Sequence, residues 1–119
     1  MSGLFSRMFG TKSAALTWFE AADVRSRLGN VLLVDVREPQ EYHSAPGHLP
    51  GALNVPLAEV QGRADELAAA AGGKSVVLVC KTDRRSARAA EALLAAGLRD
   101  VAVLRGGTDG WHAQGLELE

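Results

Sequence analysis

Cysteine occurs once in this 119-residue chain, as Cys80, and a basic stretch follows it directly. Lys81, Arg84, Arg85 and Arg88 all lie within eight positions of the thiol, with Asp83 as the opposing acid. A lone cysteine is often a small buried apolar residue. A thiolate, however, is a nucleophile, and neighbouring cations favour the thiolate over the thiol. The basic stretch therefore favours a reactive Cys80 over a purely structural one.

The composition narrows the function classes. A single cysteine excludes an internal disulfide and a multi-cysteine metal site. Lys and Arg number 13 and Asp and Glu 14, so the formal net charge is −1. That balance argues against a general nucleic-acid-binding protein, which needs a net basic surface.

Strand-like and helix-like segments alternate along the chain, which predicts an α/β domain with a mostly parallel sheet. The predicted strands are 16–19, 31–36, 52–55, 76–79 and 101–104. The predicted helices are 20–28, one turn at 38–42, 57–71 and 86–96. Cys80 then follows a buried strand and precedes a helix. In open parallel sheets, ligands bind beyond the carboxyl ends of the strands, where Cys80 lies. Helix N-termini bind anions.

Four segments, in this order, resemble the rhodanese family. Asp-Val-Arg-Glu at 35–38 is similar to the family's Asp-x-Arg segment, and Gly-His-Leu-Pro-Gly-Ala at 47–52 is similar to its Gly-His-Ile-Pro-Gly-Ala segment. Residues 80–86 fall where the family has its active-site loop. Leu-Arg-Gly-Gly at 104–107, followed by Trp111, resembles its closing Gly-Gly-x-x-x-Trp segment.

The resemblance implies a rhodanese-like α/β fold, a mostly parallel sheet of about five strands flanked by helices on both faces. It implies Cys80 as the sulfur-carrying nucleophile, with Asp35 and Arg37 bordering the pocket. Arg85 matches a loop-closing arginine. The implied substrate-binding and active-site loop consists of Lys81, Thr82, Asp83, Arg84, Arg85 and Ser86.

The implied activity is that of a sulfurtransferase. Sulfane sulfur would pass from thiosulfate or a persulfide donor, through a Cys80 persulfide, to a thiol, cyanide or a sulfur-carrier protein. We expect no metal, no organic cofactor and no nucleic acid to take part.

Two other functions remain open. Cysteine phosphatases and arsenate reductases use related loops, but a phosphatase loop has five residues between cysteine and arginine. Arg85 comes one position too early for that spacing, so this loop is one residue short. The other alternative is a non-catalytic binding module with the same fold, although such modules often lack the cysteine.

One loop residue departs from the family pattern. Many members have glycine in mid-loop, where this chain has Asp83. Aspartate tolerates left-handed backbone better than most residues, so we expect the loop to close. Its charge should either weaken binding of a dianion such as thiosulfate or pair outward with Arg84. We expect His48 to hold its own loop by hydrogen bonds and not to act as a base.

The sequence predicts one domain and a separate segment before it. Residues 14–119 form the single rhodanese-like domain. Residues 1–13 form a flexible segment or a short amphipathic one that contacts a partner or a membrane surface. Without an export signal or an apolar run of ~20 residues, a cytoplasmic location is expected.

Overall fold

A computed structural model describes residues 16–119, so the expectation for residues 1–13 lies outside the described part. The strands are β1 (Thr17–Phe19), β2 (Val31–Asp35), β3 (Leu53–Asn54), β4 (Ser75–Val79) and β5 (Val101–Leu104). The helices are α1 (Ala21–Ser26), α2 (Pro39–His43), α3 (Leu57–Val60), α4 (Ala64–Ala71), α5 (Arg84–Ala95) and α6 (Gly107–Ala113). A 3₁₀ turn (Gln61–Arg63) joins α3 to α4.

The five strands form one parallel sheet in the order β1-β5-β4-β2-β3. β4 lies at its centre and is buried on both faces. Val76 and Leu78 pack into a core with α3, α4 and α5, whereas Val77 and Val79 pack into a core with α1 and α6. A strand covered on both faces needs apolar residues at every position, which explains its continuous apolar run. The predicted fold class is confirmed.

Helix α5 begins two residues before its predicted start at residue 86. The backbone carbonyl of Asp83 already accepts a hydrogen bond from the Ala87 N–H, at 3.0 Å, and Asp83 is therefore the N-cap residue. Ser86 consequently lies inside the first turn of the helix and is fully buried. The shift places the helix N-terminus directly beside the sulfur of Cys80.

Helix α6 was not predicted. It contains Gly107 and Gly110, and glycine disfavours helix by about 1 kcal/mol relative to alanine. The buried Trp111 packs against the sheet, and tertiary packing of this kind stabilises a short helix that local propensity does not. None of the helices in residues 16–119 combines the length and apolar character needed to cross a bilayer.

Candidate active site

Cys80 is the first residue after β4, and its side chain is only 1% exposed. Its Sγ accepts a hydrogen bond from the backbone N–H of Ser86 at 3.3 Å, and the Ser86 Oγ lies 3.3 Å from the same sulfur. Ser86 is the third residue of α5, so its N–H is one of the donors that a helix N-terminus leaves unpaired. The sulfur is therefore held at the positive end of a helix dipole.

The Ser86 hydroxyl has two acceptors within reach. Besides the sulfur of Cys80, it can donate to the Asp83 carbonyl at 3.1 Å. A hydroxyl carries one hydrogen and can donate to only one of them at a time. A neutral thiol can donate to Oγ while the hydroxyl donates to Asp83, whereas an anionic sulfur can receive the hydroxyl hydrogen itself. The serine thus supplies both its N–H and its O–H to a sulfur anion.

The loop between β4 and α5 turns its carbonyl oxygens toward α6. The Thr108 N–H donates to the Cys80 carbonyl at 2.9 Å. Gly107 has a φ of +58° and lies so close that a Cβ there would overlap the carbonyl oxygens of residues 80–82. Glycine is therefore required on two grounds, the left-handed backbone and the close approach of the loop.

The loop N–H groups point the opposite way. Across a trans peptide the N–H and C=O are antiparallel, so the N–H groups of residues 81–83 are directed away from α6. None of the N–H groups of residues 81–85 donates to another described residue. Consecutive unpaired N–H groups in a curled loop can bind an anion.

Two of the loop cations are paired with carboxylates from other elements. Lys81 Nζ lies 3.0 and 2.9 Å from the two carboxylate oxygens of Asp109 in α6. Arg85 donates to both oxygens of Glu41 in α2, at 2.6 and 3.1 Å. The expectation that Asp83 alone opposes the loop cations is therefore wrong, because packing brings two distant acids to the loop.

The ion pair between Glu41 and Arg85 shifts the pKa of both residues. The hydrogen bond from Arg85 lowers the pKa of Glu41 from 4.5 to about 2, and burial opposes part of that effect. The same hydrogen bond raises the pKa of Arg85. Glu41 Oε1 also accepts the Glu38 N–H at 3.0 Å, as part of the capping box of α2. One carboxylate therefore joins the start of α2 to the loop after Cys80.

Asp35 and Arg37 form a buried pair at the end of β2. Arg37 donates to both oxygens of Asp35, at 2.8 to 3.1 Å, and to the carbonyl of Gly47 at 3.0 Å. The Asn54 amide donates to the carbonyls of Asp35 and Arg37, at 3.0 and 2.9 Å. Asp35 is fully buried, and its ion pair holds Arg37 in place.

A cavity of about 430 Å³ opens beside the loop. It is lined by Arg37, Gln40, Glu41, Ser44, Ala45, Pro46, Lys81, Thr108 and Asp109. Arg37 lines this cavity next to the Cys80 loop, whereas the buried Asp35 is not among the lining residues. The cavity is much larger than the small anion expected as a sulfur donor.

Asp83 has a structural contact that the sequence did not suggest. Its Oδ1 accepts a hydrogen bond from the Gly106 N–H at 2.8 Å, which ties the loop to the turn before α6. Its φ is −134°, so no left-handed backbone is required of it, contrary to expectation. Neither Arg84 nor Thr82 is buried; both are exposed at the surface of the loop.

His48 lies in the loop after α2, where it was expected to act structurally. Its Nδ1 is 3.0 Å from the Tyr42 carbonyl, and its ring stacks on the Tyr42 ring with centroids 3.7 Å apart. Its backbone N–H and C=O both bond to Glu119. These contacts fasten the loop that supplies Gly47 to Arg37.

Three residues of the site were missed from the sequence: Glu41, Gly107 and Asp109. Glu38 and Glu41 have the spacing of a capping box, which could have predicted the start of α2 but not the contact with Arg85. The Gly106-Gly107 pair signalled a turn without showing what lies against it. Nothing near Asp109 in the sequence indicates Lys81 as its partner. Among residues 16–119, no group of three or more His, Cys, Asp or Glu side chains is placed to hold a metal ion.

A thiol at the carboxyl end of a parallel strand, facing a helix N-terminus and unpaired loop N–H groups, defines an anion-binding cysteine loop on an α/β domain. The model of the rhodanese-like domain family matches residues 20–114. The chain belongs to this family.

Two of the proteins that this chain resembles are named as sulfurtransferases. A protein named sulfurtransferase from Allochromatium vinosum is 36% identical over 89 residues, which are 75% of this chain and 78% of that protein. The thiosulfate sulfurtransferase structure from Pseudomonas aeruginosa matches with a TM-score of 0.78 at 33% identity, over 87% of this chain and 20% of that one.

Another solved structure is named differently. A Rhodopseudomonas palustris protein of unknown function, described as "Possible Tyrosine Phosphatase", matches with a TM-score of 0.77 at 25% identity, over 100% of this chain and 99% of that one. The chain spans only 23% to 59% of the length of four other curated relatives.

Proposed function

We propose that this protein is a sulfurtransferase that carries sulfane sulfur as a persulfide on Cys80. The observation that supports this most directly is the setting of the sulfur, which receives the Ser86 N–H at the start of α5. Such a setting stabilises an anionic sulfur without a separate base. The names of the relatives point to the same chemistry.

The proposed reaction has two exchange steps. The Cys80 thiolate attacks the outer sulfur of thiosulfate or of a persulfide, and a new S–S bond forms. The old bond to that sulfur breaks, and sulfite or a thiolate leaves with the electron pair. An acceptor nucleophile then attacks the terminal sulfur, and Cys80 leaves as the thiolate. The acceptor can be a thiol, cyanide or a carrier protein.

The loop residues have separate parts in this proposal. The N–H groups of residues 81–85 and the Ser86 hydroxyl hold the terminal sulfur of the persulfide. Glu41 holds Arg85 in an ion pair next to the loop, with a shortest N–O distance of 2.6 Å. Arg37 borders the cavity through which donor and acceptor approach.

Phosphatase activity is a second candidate, because one matching structure bears that description. A phosphatase loop must wrap a tetrahedral oxyanion with five residues between cysteine and arginine, and this loop has four. A single sulfur atom fits the shorter loop better. Turnover of an aryl phosphate by the purified protein would favour the phosphatase.

The deciding experiment is the mass of the intact protein after incubation with thiosulfate. Since Cys80 is the only thiol, we expect a gain of one sulfur atom that reductant removes. Cys80→Ser should show no gain and no thiocyanate formation from cyanide. An unchanged mass with both thiosulfate and a persulfide donor, or full turnover by Cys80→Ser, would overturn the proposal. An unchanged mass would favour the non-catalytic binding module, whereas turnover by Cys80→Ser would favour a mechanism that does not use Cys80.

A further inference from the structure

Arg84 and Arg88 lie one helical turn apart on the exposed side of α5, directly after the Cys80 loop. Neither forms a salt bridge with any residue in 16–119. Residues 1–15 contain no Asp or Glu, so they hold no side-chain carboxylate that could pair with these arginines. With Arg85 they line a shallow hollow of about 200 Å³.

These arginines are unfavourable for the helix that carries them. Cations at a helix N-terminus oppose the dipole, and like charges four positions apart repel each other. The first turn of α5 contains no acidic residue, and the carboxylate of the N-cap residue Asp83 accepts the Gly106 N–H and forms no salt bridge with Arg84. Positions at which a sequence breaks local rules of stability are expected at functional sites.

The cations that border the large cavity differ from this pair. Arg37 is paired with Asp35, and Lys81 with Asp109. Arg85 is paired with Glu41. The uncompensated positive charge of the site therefore lies outside the cavity, on the protein surface. A small anion inside the cavity meets neutralised pairs, whereas a large partner that approaches the loop meets Arg84 and Arg88.

We propose that Arg84 and Arg88 form a docking surface for an acidic segment of the protein that exchanges sulfur with Cys80. The proposal rests on the sulfurtransferase function and names the chemistry of its macromolecular partner. Two guanidinium groups can each bind a carboxylate through two hydrogen bonds. Such contacts would orient the partner so that its thiol enters the cavity, and they would speed encounter at low ionic strength.

The docking surface is tested by binding, independently of sulfur chemistry. The probes are fluorescent peptides with a central serine flanked by Glu and Asp, by Gln, or by Lys. We expect the acidic peptide to bind about tenfold more tightly than the Gln peptide at low salt, with the difference shrinking at high salt. Equal affinity of the acidic and Gln peptides would overturn the proposal.

Matched variants locate the surface. The pair Arg84→Glu and Arg88→Glu should abolish the preference for the acidic peptide. Arg99→Glu reverses one exposed charge just before β5, at the amino ends of the strands, whereas Cys80 lies at the carboxyl ends. This variant should retain the preference for the acidic peptide. An equal loss in Arg99→Glu would show a general charge effect and overturn the proposal. A short oligonucleotide that binds more tightly than the acidic peptide would overturn it in favour of nucleic acid.

Stability measurements separate lost docking from lost folding. Because glutamate at the start of a helix agrees with the dipole, the double variant should unfold at an equal or higher urea concentration than the wild type. If it is less stable, Arg84→Gln with Arg88→Gln removes the charges without adding new ones. If the double Gln variant keeps the preference for the acidic peptide, the proposal fails.

A transfer assay links docking to function. The persulfide form of the protein is mixed with the same peptides carrying cysteine in place of the central serine, and the ratio of the acidic to the Gln rate is measured. We expect a ratio of about ten that falls to about one in the double variant. Transfer at equal rates to both peptides would overturn the docking proposal alone. Absence of a persulfide would overturn the proposed sulfurtransferase function. The binding measurement would still decide whether the surface docks acidic segments.

Discussion

Glu41 and Arg85, 44 positions apart in the chain, form a bidentate ion pair with N–O distances of 2.6 and 3.1 Å. The pair fastens α2 to the first turn of α5, next to the loop that follows Cys80. It fixes the position of Arg85, which the resemblance matches to a loop-closing arginine. Its consequences for stability can be measured directly.

Glu41→Gln should lower stability in a pH-dependent way. The pKa of Glu41 is lowered to about 2 by the Arg85 hydrogen bond, so its stabilisation is present above the ordinary value of 4.5 and is lost as pH falls through 2. Both side chains are about a third exposed, so solvent screens the pair and we expect about 1 kcal/mol at pH 7. Urea unfolding at several pH values measures the difference.

The wild type and Glu41→Gln should converge in stability between pH 4.5 and pH 2. Glu66→Gln is the control, because Glu66 also pairs with an arginine, Arg63, but on an exposed surface away from the loop. A difference that stays constant down to pH 2 would contradict the ionic origin of the effect.

Ser86→Ala should slow persulfide formation. The variant keeps the backbone N–H but removes the hydroxyl that can turn to an anionic sulfur, 3.3 Å away. The loss of one hydrogen bond to a charged group, about 1.4 kcal/mol, corresponds to about a tenfold lower rate. Rapid-quench mass spectrometry with thiosulfate gives the rate.

Ser75→Ala is the matched control for the serine variant. It removes a hydroxyl that donates to Asp100 at 2.8 Å, at the opposite end of β4. Its persulfidation rate should equal that of the wild type. Equal slowing in both variants would mean that the effect of Ser86 is one of general stability.

Asp83 is tested by two variants that separate its charge from its hydrogen bond. Asparagine removes the charge but keeps an oxygen to accept the Gly106 N–H, whereas glycine removes both. We expect Asp83→Asn to lower the KM for thiosulfate about fivefold, since a carboxylate near a dianion costs about 1 kcal/mol. We expect Asp83→Gly to lose kcat with charged and uncharged donors alike, because the loop loses its tie to the turn before α6.

Michaelis constants at fixed ionic strength, with thiosulfate and with an uncharged persulfide donor, distinguish these effects. An unchanged KM for thiosulfate in Asp83→Asn would show that the charge does not influence donor choice. Full kcat in Asp83→Gly would show that the hydrogen bond to Gly106 does not order the loop.

Gly107→Ala should be the most damaging small substitution near the site. Its Cβ would overlap three loop carbonyl oxygens, and its φ of +58° is itself unfavourable for alanine. We expect a loss of at least about 3 kcal/mol in the free energy of unfolding, or a displaced loop. Gly29→Ala shares a positive φ, +89°, but has open space around it, so it should cost only about 1 kcal/mol.

The two glycine variants are compared by urea unfolding and by the rate at which Cys80 is alkylated. A displaced loop would expose the buried thiol and speed alkylation in Gly107→Ala alone. Equal destabilisation of the two variants would show that the backbone conformation, and not the close approach to the loop, requires glycine at position 107.

The sequence by itself determined the strands, most of the helices and the position of Cys80. The apolar runs at 31–36, 76–79 and 101–104 predicted strands within a residue or two of the observed ones. Those patterns are local, because the alternation of strand and helix is encoded in the spacing of neighbouring side chains. The glycine-rich α6 escaped prediction because its stability comes from the packing of Trp111.

Only the tertiary structure decided the electrostatics of the loop. The sequence shows four cations after Cys80, but the acids that neutralise Lys81 and Arg85 lie 28 and 44 positions away. No local pattern encodes such pairings, because they depend on how α2 and α6 pack around the end of β4. Of these four cations, packing therefore leaves Arg84 and Arg88 without a salt bridge to any residue in 16–119.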